Sequence, residues 1–210
     1  MARYLITQSL LSSWLYVQSC YPGCEEDAMA SFLHTLRKED EDLTEDQLQN
    51  IQNGIAFESA VYATALGRSR EPQPKWESGI EKIADFVKDA QFQVKVQREL
   101  QVGDMTFLVY GILDALKAGT IYDIKFKNKS FGSLDLAGDY FDSPQHPLYL
   151  YMVPEAHEFL YMVSDGSDLY IERYTPEETV SAESLVSDFM AFLKSAGLME
   201  EYLELWQART

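Results

Sequence analysis

The chain has 210 residues, 46% apolar and 13% aromatic, which excludes a disordered chain and is enough for one packed core. No run of about 18 apolar residues is present and the opening Met1-Ala-Arg-Tyr-Leu lacks an apolar leader core, so a single, membrane-free, cytoplasmic domain over 1–210 is expected. The formal charge of −17 argues against a broad nucleic-acid-binding surface, yet Lys117, Lys125, Lys127 and Lys129 crowd a segment whose one acid is Asp123.

Four helices are expected first. Residues 7–19 open on Thr7 as N-cap and place Leu10, Leu11, Trp14, Leu15 and Val17 near one stripe, until Tyr21-Pro22-Gly23 breaks the run. Residues 25–38 begin with acids, as the helix dipole prefers. Thr44 and Gln47 form a capping box for a third helix reaching Leu66 and stopping at Gly67, and 75–90 makes a fourth. From Gln91 to Leu100 polar and apolar residues alternate; Met105–Lys117 and Thr120–Lys127 follow as strands, a three-stranded meander. Ser143-Pro144 then starts a helix, strands at 158–164 and 168–174 flank Asp165-Gly166-Ser167, and helices at 176–196 and 198–207 close the chain. The expected fold is α/β, a mixed central sheet flanked by helices, with an N-terminal helical segment.

The stretch from Tyr110-Gly-Ile-Leu-Asp114 to Tyr122-Asp123-Ile-Lys125 carries the chemistry. With Ala118-Gly119 as a two-residue turn, Lys117 pairs with Thr120 and Asp114 falls opposite Asp123, their Cβ atoms roughly 4.5–5.5 Å apart. Lys125 shares that face, whereas Tyr122, Ile124 and Phe126 point to a core. Two carboxylates so close repel each other unless a divalent cation lies between them; hard oxygen ligands suit Mg²⁺ or Mn²⁺. A lysine beside such an ion suits phosphodiester hydrolysis.

This arrangement resembles the PD-(D/E)XK nuclease superfamily, read here as Asp114…Asp123-Ile124-Lys125. Gly54-Ile-Ala-Phe-Glu58, Gln145-His-Pro-Leu-Tyr149 and the opening Thr7-Gln-Ser-Leu-Leu…Cys20-Tyr-Pro are similar to motifs of its RecB-type and lambda-exonuclease-type members, over roughly residues 5–175. The resemblance implies a restriction-endonuclease-like core. It makes Glu58, Asp114, Asp123 and the Ile124 carbonyl metal ligands and Lys125 the catalytic lysine. Gln145 and Tyr149 would support the site or touch the DNA backbone. The activity implied is a Mg²⁺-dependent deoxyribonuclease, an exonuclease by preference, in phage-type recombination, with DNA as substrate and a recombination protein as a possible partner. Some relatives hold an iron–sulfur cluster through one early and three late cysteines; only Cys20 and Cys24 exist here, so no cluster is expected.

Several of these residues also have plain readings. Glu58 alone would be a solvated helix acid, His146 and His157 structural or surface groups, and Lys127 and Lys129 an exposed edge that helps hold phosphates. Gln97 and Glu99 are weaker candidates to face the site. The rival function is a non-catalytic module that keeps the nuclease fold, which the acidity favours. The oligomeric state stays open.

Overall fold

The computed structural model describes residues 2–40, 42–133 and 136–208. Its order is β1 (Arg3–Thr7), α1 (Gln8–Ser19), α2 (Glu25–Arg37), α3 (Glu45–Ala65), α4 (Glu77–Phe86), β2 (Gln91–Val102), β3 (Met105–Lys117), β4 (Thr120–Phe126), α5 (Gln145–Met152), β5 (Glu158–Ser164), β6 (Leu169–Tyr174), α6 (Ala182–Ser195) and α7 (Met199–Leu205). The expected α/β fold with a mixed sheet between helices is what the chain forms. None of the described helices is long and apolar enough to cross a membrane.

The caps behave as their chemistry dictates. Thr7 accepts from Leu10 N at 3.3 Å, and Thr44 and Gln47 close the capping box of α3. The last helices are shorter than expected: α6 begins only at Ala182, because Ser181 caps it by accepting from Ser184 N. The expectation of a purely helical N-terminus is corrected, since Arg3–Thr7 forms a parallel strand against Thr106–Tyr110 of β3.

Two apolar layers lie on either side of the sheet. Leu10 and Trp14 of α1, Phe32 of α2, Leu148 of α5, Phe189 of α6 and Tyr202 of α7 pack against Phe107, Val109, Leu113 and Ile121. On the other side Phe57 and Val61 of α3 and Ile80 and Ile83 of α4 pack against Ala115, Tyr122, Ile124 and Met162. Alternation would put Leu113 and Ala115 of β3 on one face, and likewise Phe92 and Val94 of β2. Each pair is instead split between the two layers, so both strands roll over between those residues. At the same level the β2–β3 pairing omits Gln93 and Asp114, and Gln93 takes a left-handed φ of 53°, unusual without glycine.

The site is created by how the strands share edges. Along one edge β2 runs beside β3 for most of its length, while the other edge is divided: β1 takes Thr106–Tyr110 and β4 takes Ala115–Lys117. Beyond Tyr122, β4 leaves β3 but stays paired with β5 as far as Phe126. A fork opens between β3 and β4, and its crotch is Asp114.

Candidate active site

The hairpin above the fork matches the turn chemistry. Lys117 pairs with Thr120, and Ala118 and Gly119 both have positive φ, 50° and 80°, as a type I′ turn requires. The expectation that Asp114 lies directly opposite Asp123 in the ladder is not met, because the paired residues stop at Ala115 and Tyr122. Asp114 Oδ2 instead accepts the Ile124 N–H at 2.8 Å. A side-chain carboxylate thus replaces the main-chain acceptor that the next rung would supply, and it wedges the strands apart. An extended residue directs its N–H and carbonyl to the same edge, so the Ile124 carbonyl also faces the fork.

The opposite arm loses a ladder partner too. Tyr149 on α5, 6% exposed, donates its hydroxyl to the Ile112 carbonyl at 3.1 Å, satisfying an acceptor beside the fork. Its ring lies so close to Gly111 that a Cβ there would sit 2.4 Å from a ring carbon, which explains the glycine in Tyr110-Gly-Ile-Leu-Asp114. The Gln145-x-x-x-Tyr149 spacing sets both side chains on one face of α5. Gln145 is buried and bridges two groups: its amide nitrogen donates to Asp123 Oδ1 and its oxygen accepts from Lys125 Nζ at 3.3 Å. Lys125 Nζ lies 2.7 Å from Asp123 Oδ2, which closes a triangle of Asp123, Lys125 and Gln145. Asp123 is 2% exposed, and the expected partition of β4, with Tyr122 and Ile124 in the core, is observed.

Glu58 approaches from α3. Its Oε1 accepts from the Tyr62 hydroxyl and from Gln93 Nε2, the latter at 2.9 Å. Gln93 and Tyr62 are contributors that sequence reasoning missed. The left-handed backbone of Gln93 exists only in the folded chain, and no periodicity in the sequence announces either residue. Glu99, by contrast, pairs with Arg3 at 2.8 Å, and Gln97 lies opposite Tyr110, so neither replaces Gln93 at Glu58. Lys117 also leaves the basic stripe, donating to the Phe86 carbonyl at 3.2 Å. His146 is structural, stacked on Tyr174 with centroids 3.9 Å apart, and burial pushes its pKa down to about 4.

The groups of the cluster shift one another's ionisation. Burial, then the charges of Asp123 and Glu58, push the Asp114 carboxyl up to about 8, against the opposing pull of the Ile124 N–H and Lys125. Burial alone would lower the pKa of the Lys125 ammonium, but Asp123 and Asp114 outweigh it and hold the pKa above its ordinary value. Burial and the same two aspartates push the Tyr149 phenol up to about 12, so it stays a hydrogen-bond donor. Glu58, Asp114, Asp123, Lys125, Gln145 and Tyr149 therefore gather at one fork. Among the described residues, however, no three His, Cys, Asp or Glu side chains are drawn together tightly enough to hold a metal ion as they stand.

The class the fold defines is an α/β protein with a mixed six-stranded sheet between two helical layers. No protein-family model and no curated protein matches the chain. Among solved structures it is similar to one titled "Crystal structure of SSO0001", at 14% identity and a TM-score of 0.49 over 90% of this chain and 77% of that one. A likeness at that level says nothing about the site.

Proposed function

We propose that this protein is a metal-dependent nuclease that hydrolyses DNA phosphodiester bonds. The observation that carries the reading is the fork itself: β4 leaves β3 beyond Tyr122, Asp114 Oδ2 takes the Ile124 N–H at 2.8 Å, and Asp123, 2% exposed, crowds the Asp114 carboxyl together with Glu58. Like charges gathered in a cleft destabilise the fold, and a divalent cation relieves them. The donors available, three carboxylates and the Ile124 carbonyl, are hard oxygens of the kind Mg²⁺ or Mn²⁺ takes. They would have to draw in around the ion as Asp123 exchanges Lys125 and Gln145, and Glu58 exchanges Tyr62 and Gln93, for it. Such an ion supplies an acidified water and stabilises charge on a phosphate.

The chain's own residues divide the remaining work. Lys125, one-third exposed, is the group able to turn from Asp123 toward a water or a phosphate oxygen. Gln145 holds that lysine and Asp123 in register, and Tyr149 keeps the fork's backbone satisfied while it stays open. An exonuclease is preferred because Gly54-x-x-x-Glu58 and Gln145-x-x-x-Tyr149 resemble motifs of recombination exonucleases. DNA, a recombination protein as partner and a cytoplasmic setting belong to the same proposal.

One rival has its own support. The charge of −17 and the occupied carboxylates, Asp123 by Lys125 and Gln145 and Glu58 by Tyr62 and Gln93, favour a non-catalytic module that keeps the fold. Incubating linear, nicked and circular DNA with Mg²⁺, Mn²⁺ or EDTA separates the two. Metal-dependent loss of linear DNA, absent in Asp123→Ala and Lys125→Ala, is expected; an inert wild type in every metal, or variants that cut as well, leaves the non-catalytic module.

A further inference from the structure

Next to the fork, the chain between β4 and α5 carries a second group of contacts that hydrolysis does not require. Tyr161 stands beside Asp123 in the β4–β5 ladder, and the Tyr140 ring stacks on Tyr161 with centroids 4.2 Å apart and planes 17° from parallel. Lys127, two residues beyond Lys125 on β4's course, holds its ammonium over the Tyr140 ring, 5.6 Å from the centroid. That ammonium also pairs with Asp139 at 3.4 Å, in a contact more than a third exposed on both sides and therefore weak and exchangeable.

This wall is firmly anchored. Glu172 is 8% exposed and pairs with no cation among the described residues; its carboxylate accepts the Gly138 N–H at 3.2 Å, the Tyr140 N–H at 3.3 Å and the hydroxyls of Tyr170 and Tyr174. A carboxylate buried with four donors fixes the backbone on which Tyr140 rides. From the other side Asn53 of α3 donates to Asn128 at 3.0 Å, steadying the turn between Lys127 and Lys129. Lys125 and Lys127 are spaced by two strand residues, roughly 6.6 Å, so the row can follow successive phosphates of an extended strand.

We propose that Tyr140 and Lys127 form a reader of unpaired nucleotides beside the fork. A base displaces the Lys127 ammonium from the ring, extends the Tyr161–Tyr140 stack, and the freed ammonium exchanges Asp139 for a phosphate. Aromatic stacking beside a short cationic row is how single strands are held without sequence preference, and it restricts the positive charge to one narrow track on an acidic body. The substrate class is accordingly a single-stranded end or a frayed one. This deepens the nuclease reading and rests on it for the identity of the ligand.

Binding is measured in EDTA, with cleavage off, by anisotropy of a fluorescein-labelled oligothymidylate of about 12 nucleotides and of a blunt duplex of equal length. The wild type is expected to prefer the single strand. Tyr140→Leu should weaken it by about 5- to 150-fold, the range of one base–aromatic stack, while Tyr140→Phe stays within about twofold. Lys127→Gln should flatten the dependence of log affinity on log salt by about 0.7, one single-strand phosphate. Preference for the duplex, wild-type binding by Tyr140→Leu, a Tyr140→Phe as weak as Tyr140→Leu, or an unchanged salt slope in Lys127→Gln each overturns the proposal. Should Tyr140→Leu melt early, the Phe variant and the Lys127→Gln slope decide alone. A wild type that binds the strand as described but degrades no DNA in any metal sinks the nuclease reading and leaves this one standing.

Discussion

The two ends of β4 obey different rules. At the hairpin tip Lys117–Thr120, Leu116–Ile121 and Ala115–Tyr122 are ordinary rungs closed by a type I′ turn, and main-chain groups satisfy each other. A few residues further on, side chains take over: Asp114 accepts the Ile124 N–H and Tyr149 caps the Ile112 carbonyl. The tip could be built from many sequences with the right alternation. The fork needs particular residues, and it gathers charges that destabilise it. Where side chains replace a ladder, the fold has given up regularity to make room for something else.

That contrast is broken most severely at Asp114. Asp114→Asn should lower metal-dependent cleavage by at least about a hundredfold, the scale on which one preorganised charge is felt. The same substitution has a signature in stability. Because the folded pKa of Asp114 is raised above its unfolded value, its contribution is fully present below about pH 4 and is lost as pH rises through about 8. Metal-free wild type should therefore melt progressively lower across that window. Asp114→Asn should show a flatter profile and melt higher at pH 8, by on the order of 2–4 °C. A wild-type melting temperature that climbs over the same range contradicts the assignment.

Gln145→Ala tests the triangle. Asp123 and Lys125 would keep each other but lose their common bridge, and steady-state rates should drop about 10- to 100-fold, as for groups that orient a ligand. An unchanged rate would mean the amide is only packing. Tyr149→Phe probes the other arm: removing the hydroxyl strands the Ile112 carbonyl at a cost of about 1–3 kcal/mol, read as a shift in the denaturant midpoint. An unshifted midpoint would mean that water serves that carbonyl equally well.

The smallest effect is expected at Gly54, where an added Cβ would meet nothing within 4 Å. Gly54→Ala should stabilise α3 by roughly 0.5–1 kcal/mol. If the glycine leaves room for a strand approaching Glu58, the stabler variant should also show a raised KM for DNA, and an unchanged KM would remove that reason for it.

Legibility followed the same divide. The meander, the Ala118-Gly119 turn and the inward face of Tyr122 and Ile124 follow from alternation and turn chemistry, both local properties. Asp114, Asp123 and Lys125 could be picked out because hairpin register and strand alternation are regular, whereas Glu58, Gln145 and Tyr149 were singled out only by resemblance to nuclease motifs. Counting rungs failed where regularity does: the roll at Gln93 and Asp114 interrupts pairing, and no composition signal marks a residue driven to a φ of 53° by its surroundings. β1 was hidden because Arg3–Thr7 is short and its partner lies about a hundred residues away. Glu172 and Tyr140 were equally opaque, since a buried acid serving a distant loop has no sequence period.

The open fork is proposed to be a divalent-cation site rather than a defect of the sheet. Calorimetric titration of the wild type with Mn²⁺ at pH 8, beside Asp123→Ala, tests it without any substrate. Saturable binding that is abolished in the variant, together with a higher melting temperature of the loaded wild type, is the predicted result. Absence of binding, or binding that survives the loss of Asp123, would leave the fork without a metal-binding role.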